Sequence, residues 1–572
     1  MKIAVRGVTG IVPKTAPELL PANAATVARD CYLLNGNVAP LNNAELFAAV
    51  KTIGAETIYR MVDAPDPNIP AFLEWNIPVD VVGIPFGTTF RYSFTGPGIV
   101  PQATTYSMAT SGAASGQAFP IASRPLGLPM PVHTPTVAPA AVTSSGTTSG
   151  TPVVRSYTYT WLTDWEEESM PAVASTPMTG DYNGTWLIAM DAPPTSFNGL
   201  PLAPIRRRLY RTEGTSAQFQ LVAEEPAVGA WSNNQFADDL LNTADTSNPG
   251  ILGDAMVSAD WDAPPSDMLG ACLHPSGMLM GFAGNIVYVS EQFQPHAYPP
   301  QYQLKTEYPV VGIGVAGTSV VVLTTVYPYL VIGTTPGQMY LQRAGEPLPC
   351  LSKRSIVAMG TAVLYASTYG YVSIDINNGV SILTQQVFDY REWQAREPET
   401  MIAFYAEGRI HIYSPNLISD NWLMINVRDN VVTTVSQTAT AFHADNLTGL
   451  PLFVNGQNAY SFDPTGGTPG SFTWTSKEFV LPHPLNFGAA RILFTPAATS
   501  PNLVFTLFTG NGDQRLQYTV QSEKPFRLPA GFMNSRWQFT ISGNATVKSV
   551  ELAETVGNLD AISQLDMMNT AQ

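Results

Sequence analysis

The sequence is short of cysteine, of charge and of long apolar runs. Cys31, Cys272 and Cys350 are too few and too scattered for a disulfide framework or a Cys-x-x-Cys metal site. Charged residues make up only 13% of the 572 residues, and the formal net charge is −16. This acidity argues against broad binding to nucleic acid or to anionic membranes. No stretch reaches the roughly 18 apolar residues of a membrane helix, and the N-terminus lacks the apolar core of a signal peptide. We therefore expect no membrane segment and assembly in the cytoplasm.

Catalytic signatures are also scarce. No two of the six histidines have H-x-x-x-H or H-x-H spacing, which disfavours the familiar zinc sites; they are His133, His274, His296, His411, His443 and His483. Neither a G-x-S-x-G nucleophile turn nor a G-x-x-x-x-G-K-[ST] phosphate loop is present. GIGVAG (Gly312–Gly317) resembles a dinucleotide loop but has no helix after it, so we predict a hairpin turn. The sequence predicts no enzyme, with no catalytic, cofactor-binding or metal-binding residue and no cofactor.

Turn formers and aromatic residues are abundant instead. The chain has 48 Pro, 45 Gly, 23 Tyr and 25 Phe, which is typical of many short strands separated by tight turns. One short helix is predicted at Pro21–Asp30, where Pro stands at the start and Ala and Val recur at helical spacing. Asn35-Gly36 between two apolar runs predicts a hairpin. Further strands are expected within Glu74–Phe86 and Thr88–Gly96.

A change of composition near residue 136 suggests an inserted domain. Residues 136–152 are small, polar and low in complexity, which predicts a linker or long loop. Tyr157, Tyr159 and Trp161 then alternate with Thr, as expected of a half-buried strand. More strands follow up to the Pro264-Pro265 pair. Residues 153–264 are therefore predicted to form a fibronectin III-like sandwich.

Repeated strand–turn–strand units occupy the region after the insert. Between Leu269 and Asp463 they recur loosely every 35–50 residues, within the range of propeller blades. We predict an all-β protein in which residues 265–465 form the main propeller-like region and residues 1–135 contribute a helix and strands to the same body. Alternating strands predict a C-terminal β-sandwich with a loosely held tail over residues 466–572.

Charged clusters on predicted loops and strands are the first candidate sites. Glu166, Glu167 and Glu168 are expected to form a solvated loop. Arg206, Arg207, Arg208 and Arg211 lie on a strand and point to both of its faces, so we expect them to pair with acidic loops of a neighbouring chain rather than to bind phosphate. An acidic series offers a possible surface cation site without matching an EF-hand loop; it consists of Asp254, Asp260, Asp262 and Asp267.

The stretch GNIVYVSEQFQPHAYPPQY (Gly284–Tyr302) brings Ser290, Glu291 and His296 close together in sequence. A nucleophilic triad would need a further orienting partner that the sequence does not identify. The prolines around His296 force an extended path off the strand. We therefore favour a stiffened exit loop that packs locally, against its own propeller or the next subunit. Trp161, Trp165 and Trp231 are interpreted as core residues rather than as a platform for sugars.

Short motifs spread along almost the whole chain resemble those of the tail-tube and nozzle proteins of short-tailed bacteriophages. None is catalytic, and the resemblance depends on their number and order. They are PELLPANAATVARDCYLLNGNVAPL, RPLGLPMP, SYTYTWLTDWEEESMP, RRRLYRT, DAPPSDMLG, GFAGNIVYVSEQFQPHAYP, VYPYLVIGTTPGQM, CLSKRSIVAMGTAVLYASTYGYVSI and FRLPAG…WQFTISG…VKSVELAE. Two positions depart from the pattern. The Gly that usually precedes the Glu-Ser pair of the insert is replaced within Trp165–Glu168. The hairpin at Asn35-Gly36 is less basic than is common in the family.

The resemblance implies a structural component of a virion tail. The chain would form a homo-oligomeric ring, implied to be a hexamer, that joins a portal-adaptor ring above to tail fibres or to tip and plug proteins. Genomic DNA would pass through the ring without specific binding. Which residues would line the conduit or the interfaces is not implied. Two alternatives stay open: a propeller that binds a host glycan through Trp and Tyr around one pocket, and a glycan hydrolase with two carboxylates roughly 5–10 Å apart in a groove.

Overall fold

Antiparallel strands dominate the computed structural model, which describes residues 1–142, 144–145, 148–239, 251–377, 379–497, 502–531 and 533–559. The α-helices that lie entirely in these ranges are Tyr106–Thr110 and Tyr390–Gln394, and residues 556–559 are helical as well. Single 3₁₀ turns occur at Ser232–Asn234, Pro300–Tyr302, Pro336–Gln338, Lys353–Ser355, Leu383–Gln386, Pro398–Thr400 and Gly510–Gly512. The predicted all-β class with a β-propeller is confirmed.

Within the described residues, seven sheets follow one another as the blades of a propeller. Each blade runs as a meander, so that successive strands pair with one another. The strands are, for blade 1, Thr57–Arg60 and Phe72–Trp75; blade 2, Asp80–Phe86, Thr89–Gly96, Ile99–Thr105 and Arg124–Pro125; blade 3, Leu269–Leu273, Leu279–Ala283, Ile286–Val289 and Leu304–Lys305; blade 4, Val310–Ala316, Ser319–Thr324, Pro328–Ile332 and Tyr340–Arg343; blade 5, Val357–Met359, Ala362–Ser367, Gly370–Asp375 and Gly379–Ile382; blade 6, Ile402–Ala406, Arg409–Tyr413, Trp422–Asn426 and Val432–Val435; and blade 7, Ala441–Ala444, Pro451–Asn455, Asn458–Ser461 and Glu45–Ala49.

The first strands of the blades lie side by side around the propeller axis. Blade 7 closes the ring, because its fourth strand, Glu45–Ala49, comes from the N-terminal region and pairs with Asn458–Ser461. The first strand of blade 7 contacts that of blade 1, and Arg60 of blade 1 forms a buried ion pair with Asp445 beside blade 7 over 2.8 Å. Glu45–Ala49 is therefore the outer strand of blade 7 and connects the N-terminal region to the last blade.

Local sequence explains the blade hairpins. The strand Val310–Ala316 alternates buried and half-buried residues, as expected for one face of a pleated sheet. A turn at Gly317 (φ +56°) leads into Ser319–Thr324, whose residues pair back in register. The dinucleotide-like stretch Gly312–Gly317 is therefore a strand and its turn, as predicted.

The insert is a two-sheet sandwich. Tyr157, Tyr159, Trp186, Ile188 and Leu209 pack in its core from both sheets. One sheet contains Thr136–Ala138, Trp186–Ala189 and Gln235–Asp238, and the other contains Tyr157–Leu162, Arg206–Arg211 and Gln220–Glu224. Shorter pairs are Ser144–Ser145 with Thr148–Ser149, Pro152–Arg155 with Met178–Asp181, and Ser196–Phe197 with Leu200–Pro201.

The predicted linker over residues 136–152 needs correction, because Thr136–Ala138, Ser144–Ser145, Thr148–Ser149 and Pro152 lie in paired strands. Thr136–Ala138 pairs with Trp186–Ala189 and therefore belongs to the insert sandwich. Val137 is buried in the insert core. This packing stabilises the short strand, which the polar composition around it does not predict. Residues 143, 146 and 147 of the predicted linker lie outside the described residues.

The terminal sandwich combines strands from both ends of the chain, whereas we had predicted it from residues 466–572 alone. One sheet contains Lys2–Arg6, Cys31–Leu34, Asn37–Pro40, Ala489–Thr495, Phe526–Arg527 and Thr546–Ala553. The other contains Ala25–Arg29, Phe472–Ser476, Phe479–Leu485, Leu503–Thr509, Asp513–Thr519 and Asn534–Gly543. Arg29 also pairs in parallel with Thr434, which makes this second sheet continuous with blade 6. The predicted tail after residue 559 lies outside the described residues.

The predicted helix at Pro21–Asp30 is wrong. Ala25–Arg29 is a strand that pairs antiparallel with Phe472–Ser476. Thr26 and Val27 are β-branched and suit an extended chain, and the sheet on either side overrides the weak helical spacing of the alanines. The hairpin beside it is confirmed, since Leu34 pairs with Asn37 around Asn35 and Gly36, both at positive φ.

Candidate functional site

A cavity of about 530 Å³ lies where the insert meets blades 2 and 3, and we call it the junction cavity. Blade 2 supplies residues around Phe86 and Arg91, and blade 3 supplies the turn near His274. The insert contributes Trp165–Glu167, and the exit loop after blade 3's third strand contributes Phe293–His296. Most of the lining is apolar, so its charged and polar side chains stand out.

His296 fastens the exit loop to the insert. Its Nε2 accepts a hydrogen bond from the backbone N–H of Glu168 over 3.2 Å, and the edge of the Trp261 ring packs against it. Burial lowers the pKa of His296 to about 4, so the ring is neutral at pH 7. With Nε2 accepting, the ring proton sits on Nδ1, which has no hydrogen-bond partner among the described residues.

Glu167 is a buried carboxyl beside the same cavity. Burial raises the pKa of Glu167 to about 7, and the nearby Arg91 and Arg124 guanidinium groups oppose the shift. Nη1 of Arg91 lies 3.7 Å from Oε1 of Glu167. Glu166, at φ +60°, turns the chain so that Glu167 and Glu168 point inward. The prediction of a solvated loop is therefore wrong for Glu167 and Glu168, because the turn buries both.

Arg91 and the aromatic rings form one wall of the cavity. The guanidinium group of Arg91 lies 3.5 Å from the centre of the Phe86 ring and 4.6 Å from that of Trp165. Arg124 approaches Trp165 as well, at 4.5 Å. Because two guanidinium groups cover Trp165, its ring is not a free platform for a sugar. Trp161 lies in the insert core, as predicted, and Trp231 is half-buried against Phe236.

Ser290 and Glu291 do not form a triad with His296. The Ser290 hydroxyl donates to the Glu291 carbonyl and accepts from the Leu279 N–H, both over 2.9 Å. The Glu291 carboxylate accepts from the Tyr302 hydroxyl over 3.0 Å. These are local bonds of a stiffened loop, as predicted. The sequence does not predict the contact of this loop with the insert, which His296 makes through the Glu168 N–H.

The arginine strand pairs within its own chain, which corrects the expectation of a neighbouring chain. Arg207 binds Glu225 through two hydrogen bonds, over 2.8 and 2.5 Å, and Arg211 binds Asp238. Carboxylates close in sequence or across the sheet are held at fixed positions opposite these cations, so no distant partner is needed.

Glu168 is the centre of a second buried network in the insert. Its carboxylate accepts from Arg208 over 2.9 Å, from the Tyr210 and Thr160 hydroxyls over 2.7 Å each, and from Ser258 over 3.1 Å. A buried carboxylate with this many donors keeps the insert strands in fixed register. The backbone of the same residue holds His296, so the network reaches the propeller.

Ion pairs cross the propeller near its axis. Lys353, in the segment that enters blade 5, pairs with Asp80 at the start of blade 2. Its neighbour Arg354 binds the Glu56 carboxylate over 3.1 Å and the Thr440 carbonyl over 2.7 Å. These bonds connect blades that are not adjacent around the ring, so side chains occupy this part of the axis.

Other candidate residues remain apart. Among the described residues, no three metal-ligating side chains come together, so the acidic series from Asp254 to Asp267 does not form such a group. All three cysteines are free thiols, and burial raises the pKa of each. In the part of the chain that the structure describes, no helix has the length and hydropathy to span a membrane.

No protein-family model matches the chain, and no curated protein matches it in sequence. Solved structures that are similar include the WD40 domain of Neurospora crassa Pan2, at 8% identity over 50% of this chain and 85% of that chain, with a TM-score of 0.25. BamB from Moraxella catarrhalis follows at 11% identity, 53% and 80% coverage, and a TM-score of 0.23. Kluyvelomyces marxianus Hsv2 has 10% identity and a TM-score of 0.20; the match covers 39% of this chain and spans 60% of that one. Likeness at this level carries no argument about function.

Proposed function

We propose that the protein is a non-enzymatic subunit of a short-tailed phage tail, a nozzle or tail-tube ring through which DNA is delivered. The ordered series of family-like motifs first suggests this role. The structural observation that carries it is the way in which the chain fastens its distant parts. The first strand, Lys2–Arg6, pairs with Thr546–Ala553 near the other end of the chain, and residues 45–49 complete blade 7. Such closure joins both ends of the chain into one body, which suits a subunit under mechanical load.

Ion pairs across the propeller of one copy favour a conduit formed by several copies. Because Lys353–Asp80 and Arg354–Glu56 cross the propeller of a single copy, DNA has no route along that axis in this proposal. A conduit would have to lie between copies arranged around a common axis. Closed rings of identical subunits use one repeated interface, and the implied ring has six copies.

The charge of the chain suits a conduit. Asp and Glu number 44 against 28 Lys and Arg, and many arginines are engaged in pairs within the chain. Surplus carboxylates on the conduit side would repel phosphates and keep the duplex from adhering. Neutralising the acidic loops that face the conduit should then slow DNA ejection, and unchanged ejection kinetics would count against this part of the proposal.

Mass measurement tests the proposal directly. The purified full chain is measured by sedimentation velocity and native mass spectrometry, alone and mixed with the adaptor ring of the same tail. We expect a closed ring in at least the mixture, with one stoichiometry across protein concentrations. A chain that stays monomeric in both samples and that binds or cleaves host polysaccharide would overturn the tail-conduit function.

One observation favours glycan binding as a second candidate function. Tyr369 and Tyr390 are 59% and 55% exposed, and their ring centres are 6.0 Å apart at the edge of blade 5. Exposed neighbouring aromatics offer an apolar face to a sugar ring. If this function holds, Tyr369→Ala with Tyr390→Ala abolishes binding to host polysaccharide, whereas Tyr340→Ala, at another exposed tyrosine, leaves it unchanged. Equal binding by all these variants would remove the glycan candidate.

A further inference from the structure

The junction cavity has the size and lining of a small-molecule site. Its volume of about 530 Å³ falls within the range of ligand pockets, which are mostly apolar with a few placed polar groups. Phe86 and Phe293 line it, and Phe293 is 72% exposed although it is a large apolar side chain. Ile84 and Leu126 add apolar surface. An apolar molecule would cover these side chains from water.

Two polar groups at the cavity lack hydrogen-bond partners among the described residues. In that part of the chain, His296 has a donor without an acceptor, and Glu167 has an acceptor without a donor. His296 is 2% exposed, and its Nδ1–H donates to no described residue. The Glu167 side chain accepts no hydrogen bond from the described residues, and its nearest cation, Arg91, stays at 3.7 Å. Leaving a buried polar group unpaired is costly. A ligand hydroxyl is both acceptor and donor, so it matches what His296 and Glu167 each lack.

The other polar chemistries fit less well. A ligand carboxylate would lie beside the Glu167 carboxyl, which is a group of the same kind. A ligand ammonium would lie beside the Arg91 guanidinium, which carries the same charge. A sugar would need an open aromatic face, but Arg91 and Arg124 already cover Trp165. A neutral aromatic ring with one hydroxyl satisfies the apolar wall and the polar groups together.

We propose that the junction cavity binds a small aromatic alcohol of the phenol class. Its ring packs against Phe293, Ile84 and Leu126, and its hydroxyl accepts from Nδ1–H of His296 and donates to the Glu167 carboxylate. The site lies between the insert and the propeller, so an occupant contacts both. This binding function is separate from ring formation and does not depend on it.

Binding to the full chain is measured by isothermal titration calorimetry and ligand-observed NMR with three probes: p-cresol, 4-methylanisole and toluene. The probes share a ring and differ in the hydroxyl, so they separate the polar contacts from the apolar ones. We expect p-cresol to bind about fivefold or more tightly than 4-methylanisole, since one net hydrogen bond is involved, and toluene to bind most weakly. Equal affinity for p-cresol and toluene, or no saturable binding of p-cresol, would overturn the proposal.

Variants identify the cavity as the place of binding. His296→Phe should weaken p-cresol binding more than toluene binding, because it removes the Nδ1–H donor; it also removes the acceptor of the Glu168 N–H, a loss that affects both probes. Phe293→Ala, at a side chain that is 72% exposed, should weaken p-cresol and toluene alike. Val228→Ala, at an exposed insert residue that does not line the cavity, is the control and should change neither. If Phe293→Ala binds p-cresol as the parent does, the proposal fails even where His296→Phe does not fold.

Discussion

The backbone N–H of Glu168 in the insert donates to Nε2 of His296 in the exit loop of blade 3, over 3.2 Å. The two residues are 128 positions apart in the chain. The bond fixes which ring nitrogen of His296 carries the proton, and it connects the buried Glu168 network to the propeller. A neutral histidine is therefore one of the contacts between the insert and the propeller, and protonation at Nε2 would remove this hydrogen bond.

Removing this histidine should loosen the insert. We expect His296→Ala to lower the free energy of unfolding by about 1–3 kcal/mol, because the buried Glu168 N–H loses its acceptor. Urea denaturation followed by tryptophan fluorescence measures the change. His483→Ala removes an exposed histidine and should stay within about 0.5 kcal/mol of the parent; equal losses in the two variants would contradict the role of the bond.

The buried histidines should make the protein sensitive to mild acid. Burial lowers the pKa of His296 and His443 to about 4 and that of His411 to about 3, from an ordinary value of 6.5. Below pH 6.5 these histidines bind protons in the unfolded chain but not in the folded chain. The stability present above pH 6.5 is therefore lost as the pH falls towards 4. Each histidine contributes about 2 kcal/mol of loss between pH 6.5 and 5.

Glu167 and Asp463 have raised pKa values, so these carboxyls add stability to the folded protein as the pH falls over the same range. A histidine variant is therefore needed to separate the histidine contribution from the carboxyl contribution. His411→Asn keeps an acceptor for Trp422 Nε1, which now bonds Nδ1 of His411 over 3.2 Å. Its unfolding free energy should fall about 2 kcal/mol less than that of the parent between pH 6.5 and 5. Parallel pH profiles would show that His411 is not the titrating group.

Glu167→Gln should stabilise the protein at high pH. The folded pKa of about 7 lies above the ordinary value of 4.5, so the parent loses stability as the pH rises from 4.5 to 7, by up to about 3 kcal/mol, and keeps that penalty above pH 7. The amide removes that penalty at pH 8, and the two proteins should converge at pH 4, where the carboxyl is protonated in both states. Denaturation at the two pH values measures the difference; a constant offset would contradict it.

We expect the carboxylate of Glu551 to stabilise the terminal sandwich through its ion pairs. It is fully buried, and its carboxylate contacts Lys2 at 3.2 Å, Arg6 at 3.0 Å and Arg491 at 2.6 Å. These cations lower the pKa of Glu551. Its contribution is therefore present above the ordinary pKa of 4.5 and is lost as the pH falls through the lower folded value.

Glu551→Gln should lower the free energy of unfolding at pH 7 by about 3–5 kcal/mol, since it leaves buried cations without their counter-charge. Lys548→Gln, at an exposed position of the same strand, is the matched control and should change stability by less than about 0.5 kcal/mol. Thermal and urea unfolding of both variants provide the comparison. A small effect at Glu551 would mean that water already screens the cluster.

The junction cavity was missed because its parts are distant in sequence. Arg91, Glu167 and His296 lie on blade 2, the insert and the exit loop, and no spacing rule connects them. One signal was present: His296 stands between prolines that fix the loop, and the glutamate run follows a tryptophan. Each was interpreted locally, as a stiff loop and a solvated loop, and only the fold brings them to one wall.

The sequence alone determined the strands, the hairpins and the repetition of blades, because alternation of buried residues and Gly turns is a local property of the chain. It predicted that the insert starts at residue 153, whereas strands from Thr136–Ala138 onwards belong to it. Tertiary structure decided where the ends go: Ala25–Arg29 became a strand because a sheet edge was available, and residues 45–49 became the last strand of blade 7. It decided as well that Glu167 and Glu168 are buried, since burial depends on which distant surface covers a turn.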